Sequence, residues 1–207
     1  ADLKGKTLGV WFYGNEYAFL SWMSRLGLKT DGSANGVTVL RQGWGVEPLT
    51  EGQAACVSTM SYNEYWVVRD AGYSPEQLTV FKYQSEGAAT LEDGLYVHEK
   101  NLSDAAFKDK MVRFVRASMK GWKYAEANPK EAAMIILDND DAGVQTEKHQ
   151  VRMMGEIAKL TAGSNGSLDP ADYERTVKVL MSGDSDPVIT KKPSGAWTNE
   201  ITNAALN

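Results

Sequence analysis

The sequence predicts an α/β fold in which a parallel sheet is flanked by helices and followed by a helix-rich C-terminal part. In the N-terminal part, short β-rich runs alternate with helical segments through short connections, which is the pattern of βαβ units. From Ser103 onward, nearly every segment has helical spacing instead. A chain of 207 residues that is 43% hydrophobic is long enough to bury a core of its own.

The first predicted strand covers residues 6–13 and is ended by Gly14. A helix should follow at once, because apolar side chains then recur at helical spacing up to Gly27, which fits a helix end. The apolar face of this helix is predicted to consist of Phe19, Trp22, Met23 and Leu26.

The same alternation predicts the following elements. Strands are expected at residues 36–43, 54–60 and 78–84, and residues 94–100 are consistent with one more. Short helices are expected at residues 47–53 and 61–72, and Ser61 with Glu64 three residues later has the spacing of a helix-capping pair.

The C-terminal part is predicted to be mostly helical. Asn128-Pro129 should divide one long helical stretch into two helices, because proline is favoured in the first turn of a helix and disrupts its interior. Helices are expected at residues 103–128, 129–138, 146–160 and 170–181. The remaining tail is rich in Gly, Pro and Ser, and we expect it to pack over a neighbouring part of the protein.

Charge and motifs exclude several classes of function. The net charge of −5 and the isoelectric point near 5.2 leave no basic surface for nucleic acid. Neither a dinucleotide-binding nor a phosphate-binding glycine motif is present, and His98 and His149 lack the spacing of a metal-binding pair. We therefore predict no cofactor, no metal and no catalytic residue. Cys56, the single cysteine, is expected to be a small core residue.

Membrane and calcium signals are weak. No apolar run is long enough to span a bilayer, and secretion is expected to use a leader that is not part of the sequence given. Residues 31–42 resemble a calcium loop, with Asp31, Ser33 and Asn35 in register, but Gln42 replaces the essential glutamate. The other interpretation of this segment is a polar turn that uses Gly36 for its positive φ.

Three loops should meet at one edge of the sheet and form a ligand site. Ligands of open parallel sheets bind at the carboxyl ends of the strands, and each of these loops carries an aromatic residue and an acid. The acids are Glu16, Glu47 and Glu64. The candidate ligand-binding residues are Tyr13, Gly14, Asn15, Glu16, Tyr17, Gln42, Trp44, Thr59, Met60, Tyr62 and Glu64. This composition suits a small flat ligand that stacks on the aromatic side chains and donates hydrogen bonds to the acids. Helix capping alone also explains an acid in a first helical turn.

Several stretches resemble a known family. These are "ADLKGKTLGV", "LEDGLYVHEKNLSDAAFKDKMVRFVRASMKGWKYAEANPKEAAMIIL" and "QTEKHQVRMMGEIAKLT". They are similar to bacterial ABC-transporter substrate-binding proteins of the thiamine-precursor, or hydroxymethylpyrimidine, binding-like group, which is related to the binders of alkanesulfonate, taurine and nitrate. The "F…A…GW.YA..NP.EAA" stretch is the most specific part of this resemblance.

The resemblance implies a type II periplasmic-binding fold, in which two α/β lobes joined by hinge strands close on a small ligand. It implies delivery of the ligand to a membrane permease and its ATPase, without chemistry, by a monomer that is periplasmic or lipid-anchored outside the cytoplasm. In relatives that bind pyrimidines, aromatic residues stack on the ring and an acid reads its amino group. Glu16 and Glu64 offer that acid here.

The resemblance also predicts a domain organisation. Residues 1–90 would form the α/β ligand-binding lobe, residues 91–165 its mostly helical continuation, and residues 166–207 a C-terminal segment that packs against the other lobe. Family members usually carry a further segment before "DLKGK", so the first part of the other lobe is expected to be missing from this sequence. A hinge crossing is expected at residues 81–86.

Three alternatives stay open. The first is a binder of a sulfonate or another small solute with the same fold. The second is the ligand-sensing domain of a transcription regulator, which would need a helix-turn-helix upstream. The third is a pyrimidine-synthesising enzyme of the same superfamily, which uses a cysteine-rich segment and a sacrificed histidine. The single cysteine of this chain disfavours the enzyme.

Overall fold

The computed structural model describes residues 2–182 and 187–207, and its contacts divide the chain into two compact units. The first unit consists of the chain up to Leu91 together with Pro170–Ser194, and the second consists of Glu92–Asp169 with Gly195–Asn207. The first unit contains β1 (Thr7–Val10), α1 (Glu16–Arg25), β2 (Thr38–Arg41), α2 (Glu47–Thr50), α3 (Glu64–Asp70), α4 (Tyr83–Glu86) and α8 (Pro170–Met181). The second unit contains α5 (Ala105–Ala127), α6 (Pro129–Asp138), α7 (Glu147–Thr161) and α9 (Glu200–Leu206).

The sheet of the first unit is small and parallel. β1 pairs with β2 in a register that sets Thr7 opposite Thr38 and Val10 opposite Arg41. β1 is also the buried centre of this unit, with Leu8 and Val10 almost fully enclosed. The two predicted strands are therefore confirmed, although both are shorter than their β-rich sequences.

The third predicted strand, at residues 54–60, is reduced to a single parallel bridge between Leu8 and Cys56. Hydrogen bonds from Ala55 N to Thr7 O (2.8 Å), from Gly9 N to Cys56 O (2.7 Å) and from Ser58 N to Gly9 O (3.1 Å) accompany it. This segment consequently lies on the opposite side of β1 from β2, and three parallel segments lead toward one edge. Cys56 packs against the core but is only half-buried, so its prediction as a small core residue is confirmed in part.

The core of the first unit forms where α1 covers β1. Its buried members are Leu8, Val10, Phe19, Trp22, Met23, Leu28, Val37 and Ala88. The predicted apolar face of α1 is thus correct for Phe19, Trp22 and Met23, but wrong for Leu26, which is half exposed. The reason is that the helix ends at Arg25, and the chain then reverses at Gly27 (φ 66°), so that Leu28 enters the core instead.

The predicted fourth strand, at residues 78–84, is wrong: the segment is extended and then enters the short helix α4. Packing against α1 accounts for the difference. The ring of Trp22 lies 5.1 Å from that of Phe81 and 6.1 Å from that of Tyr83, and its Nε1 donates to Glu86 Oε2 at 3.0 Å. Aromatic contacts with a helix hold this β-rich sequence, so no strand partner is needed. Residues 94–100 also contain no strand and are exposed.

The turn before β2 differs from its prediction in one detail. Positive φ is adopted by Gly32 (φ 76°) and not by Gly36. Glycine is required at position 36 for another reason, because a Cβ there would overlap the carbonyl oxygen of Lys29. Asp31 closes the turn by accepting from Ser33 N (3.0 Å). Hydrogen bonds from the side chain and the backbone of Ser33 hold the pKa of Asp31 below its ordinary value.

The helices of the second unit match their predictions closely. Asp104 caps α5 by accepting from Ala106 N at 2.9 Å, and Pro129 begins α6. Ala132 and Ala133 of α6 pack against Met154 of α7 in a second small core. In the first unit, α8 has the bounds that the sequence predicted.

One helix of the second unit was not predicted. α9 lies in the Gly/Pro/Ser-rich tail and is held against α5 by Lys108, which pairs with Glu200 at 2.6 Å. Arg116 of α5 donates to the carbonyls of Ala204 and Ala205 at the end of α9. The predicted tail also includes residues 183–186, which lie outside the described residues.

Candidate ligand-binding site

Three loops meet at the carboxyl edge of the parallel segments in the first unit. We name them L1 (residues 11–15, between β1 and α1), L2 (residues 42–46, between β2 and α2) and L3 (residues 58–63, before α3). Because the segments are parallel, their carboxyl ends lie at the same edge, and the three helices that follow begin there. The predicted convergence of the loops agrees with this geometry.

Gln42 links L2 to L3 through its side-chain amide. Its Nε2 donates to the carbonyls of Gly45 (3.0 Å) and Ser58 (2.9 Å), and its Oε1 accepts from Ser58 N at 2.8 Å. The residue is only 6% exposed, so these bonds are largely sheltered from water. Gln42, a candidate ligand-binding residue, thus has both donors committed to the protein's own backbone.

Gly9 of β1 makes room for this amide link. A Cβ at Gly9 would lie 3.2 Å from Gln42 Oε1 and 3.1 Å from Val57 Cγ1, which is closer than ordinary van der Waals contact. The absence of a side chain therefore lets Gln42 cross over β1 from the β2 side to L3. L1 is linked to L2 as well, because Trp11 Nε1 donates to Gly43 O at 2.9 Å.

The three acids of the loops share one arrangement. Glu16, Glu47 and Glu64 are the first residues of α1, α2 and α3, and each side chain folds back on the loop that precedes it. Glu16 Oε2 accepts from Gly14 N (2.7 Å), and Glu64 Oε2 accepts from Met60 N (2.9 Å). The Glu47 carboxylate lies against Gly45, where any Cβ would overlap it. Local stabilisation of the loops is thus a role of these acids that needs no ligand.

The carboxylates of Glu16 and Glu64 differ in how many of their oxygens already accept a hydrogen bond. Glu64 Oε1 accepts from the Asn63 side-chain amide (2.8 Å), so both of its oxygens are engaged. Glu16 Oε1 has no hydrogen-bond partner in the part of the chain that the structure describes. Of the two predicted recognition acids, Glu16 is the one with a free acceptor.

Two aromatic side chains of the loops are almost fully exposed. Tyr13 of L1 is 91% exposed and Trp44 of L2 is 96% exposed. Aromatic rings of this size normally bury much of their area, so both rings leave an unusually large apolar area in water. Tyr17 and Tyr62, the other predicted aromatics, are half-buried.

Tyr13 also has an unusual backbone. Its φ of 65° lies in the left-handed region, and among the described residues it is the only one other than glycine with positive φ. A tyrosine in this conformation costs roughly 1–2 kcal/mol relative to the usual regions. The following Gly14 (φ 112°) and the hydrogen bond from Asn15 Nδ2 to Phe12 O (3.1 Å) hold the turn in place.

The structure adds a residue to this edge that the sequence analysis missed. Arg41, the last residue of β2, places its guanidinium carbon 4.7 Å from the centre of the Tyr13 ring and 5.4 Å from that of Phe12. The two rings follow β1 and the arginine ends β2, so only the strand register brings them together. Val10 lies opposite Arg41, and this pairing was the signal that could have located the contact.

The other candidate residues have less distinctive surroundings. Thr59 and Met60 of L3 are half-buried, and Met60 contributes its backbone N–H to Glu64. Among the described residues there is no group of three or more His, Cys, Asp and Glu side chains that could hold a metal ion. Within the same residues, no helix has the length and apolar character needed to cross a bilayer.

Comparison with known families decides the relationship of this chain. A family described as NMT1/THI5 like matches residues 1–132, which include all three loops. The chain belongs to the NMT1/THI5-like family. This is a family of ABC-transporter substrate-binding proteins whose members bind nitrate, sulfonates and thiamine precursors. None of the curated proteins matches the chain.

Membership fits the fold and sets the general role. NMT1/THI5-like proteins have the type II periplasmic-binding fold, and the helix-rich α/β structure with its small parallel sheet fits it. The family supports solute binding for an ABC transporter, with a small-molecule ligand and a permease as partners. Its members are extracytoplasmic and mostly non-enzymatic.

Proposed function

We propose that the chain captures a small, flat heteroaromatic solute of the pyrimidine or thiamine-precursor class for an ABC importer. The observation that carries the proposal is the pair of exposed rings, Tyr13 and Trp44, on adjacent loops at the carboxyl edge of the sheet. Stacking on such rings removes two apolar faces from water at once, and a flat ligand gains most from it.

Glu16 supplies the polar half of the proposed recognition. Its Oε2 is held by Gly14 N, which fixes the carboxylate, and its Oε1 is free to accept from a ring amino group. A hydrogen bond to a charged acceptor contributes about 1.5–3 kcal/mol, more than a neutral one. A fixed carboxylate loses little side-chain entropy on binding, which adds to the affinity.

The remaining candidate residues divide into two groups in this proposal. Gln42 and Glu64 position L2 and L3 through hydrogen bonds to backbone, and Met60 and Thr59 form part of the L3 framework. Gly14 and Asn15 shape the turn that presents Tyr13. Tyr17 and Tyr62, which are half-buried, would flank the ligand. Direct contact is assigned to Tyr13, Glu16 and Trp44.

The proposal extends to the setting of the protein. The chain would act as a monomer, in the periplasm or lipid-anchored outside the cytoplasm, and would pass its solute to the permease without chemistry. Nucleic acid has no part in it, since the chain is acidic overall.

Isothermal titration with 4-amino-5-hydroxymethyl-2-methylpyrimidine tests the proposal. Glu16→Gln keeps the shape of the side chain but removes its charge, and a loss of affinity of about 10- to 100-fold is expected from the charged hydrogen bond. Glu51→Gln is the control, because Glu51 is an exposed acid that, like Glu16, accepts from one local partner, in its case Gln53 Nε2 at 2.8 Å. No binding by the unmodified chain, or equal effects of the two variants, would contradict the proposal.

A further inference from the structure

We propose that Arg41 binds an anionic group on the ligand, so that the solute is a flat ring bearing a phosphate, sulfonate or carboxylate substituent. The inference deepens the proposed function and rests on it for the ring, because Arg41 lies at the same edge as the loops. The predicted site residues include acids but no cation, and the inference adds a positive charge to them.

Arg41 differs in its hydrogen bonding from five of the other six arginines of the chain. Arginines elsewhere in the chain donate to carbonyls or carboxylates: Arg25, Arg69, Arg113, Arg116 and Arg175. Arg41, in contrast, donates no hydrogen bond and pairs with no carboxylate within residues 2–182 and 187–207.

The contacts that Arg41 does make leave its donors available. Its guanidinium lies over the rings of Tyr13 and Phe12, and a stacked guanidinium uses its flat face for the ring contact. The N–H groups of the fork lie in the plane of the guanidinium and remain able to bind oxyanions in pairs. Stacking also restricts a long side chain, so less entropy is lost when the anion binds.

The strained backbone at Tyr13 supports the same conclusion. The ring nearest Arg41 belongs to the residue with φ 65°, a conformation that tyrosine rarely adopts. Backbone strain is concentrated at binding and catalytic sites, where a fixed side-chain position compensates for it. Here the strained backbone fixes the Tyr13 ring beneath the guanidinium of Arg41.

Two charges would then divide the recognition of one ligand. Glu16 accepts hydrogen bonds from the ring's N–H groups, and Arg41 donates to the anionic substituent. Glu16 and Arg41 form no ion pair with each other in the described structure, so neither is neutralised before the ligand arrives.

Titration of the 207-residue chain with three probes tests the inference: the neutral hydroxymethylpyrimidine, its phosphate monoester, and ethanesulfonate. The unmodified chain is expected to prefer the phosphate ester to the neutral pyrimidine by about tenfold or more, as a charged hydrogen-bonded pair would give. Arg41→Gln should abolish the preference for the phosphate ester, and Arg41→Lys should restore part of it. Lys4→Gln, which removes one exposed charge before β1, should leave the preference unchanged.

The outcomes separate this inference from the proposed function. Equal binding of both pyrimidines, or a preference that survives Arg41→Gln, overturns the inference and leaves the proposed ring binding in place. If ethanesulfonate binds, neither pyrimidine binds, and Arg41→Gln abolishes the binding, the anion site is supported and the proposed ring binding is overturned. Binding of none of the probes overturns both.

Discussion

The side-chain amide of Gln42 and the backbone of Ser58 bond to each other in both directions: Nε2 donates to Ser58 O at 2.9 Å, and Ser58 N donates to Oε1 at 2.8 Å. Gln42 follows β2 on one side of β1, and Ser58 follows the bridge at Cys56 on the other side, so this pair connects two loops across the central strand. The arrangement of the proposed site therefore depends on a buried residue that would not itself touch the ligand.

Gln42→Leu is expected to destabilise the chain by about 2–4 kcal/mol. The substitution leaves Ser58 N and the carbonyls of Gly45 and Ser58 without their partner, and each buried unpaired group costs about 1–3 kcal/mol before water relieves it. Urea unfolding measures the effect. Gln53→Leu, at an exposed glutamine, should change the unfolding free energy by less than about 0.5 kcal/mol. Equal effects at the two positions would contradict the role of Gln42.

Gly9→Ala should be destabilising although alanine is the smallest change available. The new methyl would lie 3.1 Å from Val57 Cγ1, 3.2 Å from Gln42 Oε1 and 3.3 Å from Cys56 O, all on segments held by hydrogen bonds. Overpacking of this kind costs about 1–3 kcal/mol.

Gly121→Ala in the exposed interior of α5 provides the opposite expectation. Nothing lies within 4 Å of its Cβ position, and alanine should stabilise the helix by about 0.5–1 kcal/mol. Thermal unfolding of the two variants should therefore shift in opposite directions, and a shift in the same direction would refute the packing argument.

Tyr13→Asn separates stability from binding. Asparagine tolerates the left-handed region, so relief of strain offsets the loss of the exposed contact with Arg41, which is worth about 0.5–1 kcal/mol. The melting temperature should stay within a few degrees, by the usual relation of about 2–4 °C per kcal/mol for a chain of this size. Pyrimidine affinity should nevertheless fall. Tyr96→Asn, at an exposed tyrosine of the second unit, should change neither quantity.

Cys56 gives a prediction for pH dependence. Burial raises the pKa of the Cys56 thiol, because desolvation disfavours the thiolate. Its folded-state pKa thus lies above the unfolded value of about 8.5, so this contribution to stability is complete below that pH and is lost as pH rises through the folded value. Stability above about pH 9 should fall less steeply in Cys56→Ala than in the unmodified chain. Iodoacetamide should label Cys56 more slowly at pH 8 than it labels free cysteine, and equal rates would contradict the burial.

The helices could be predicted from the sequence because their signals are local. Pro129 and Asp104 mark helix starts through their own backbone chemistry, whatever the rest of the chain does. The strand predicted at residues 78–84 is absent, because its β-rich residues pack on Trp22 instead of pairing with a strand, and no local signal shows this. α9 was missed because its contacts come from Lys108 and Arg116, far away in sequence.

The meeting of the three loops could be predicted from the sequence, but the contacts of their individual residues only in part. Parallel strands bring their loops together by topology, and this much follows from alternation alone. Whether the Gln42 side chain faces a ligand or the backbone depends on the space that the missing side chain of Gly9 leaves, and residue spacing in the sequence does not show that space. Arg41 was overlooked because its partners, Phe12 and Tyr13, reach it only through the register of β1 and β2.

Binding at the carboxyl-edge loops is tested most directly by mapping amide chemical shifts in the isotope-labelled chain during titration with the hydroxymethylpyrimidine and its phosphate ester. We expect the largest shifts at Gly14 in L1, at Gly43 and Gly45 in L2, and at the indole N–H of Trp44. Shifts confined to α5, α6 and α7, or no shifts at saturating ligand, would contradict the central claim that these loops bind the solute.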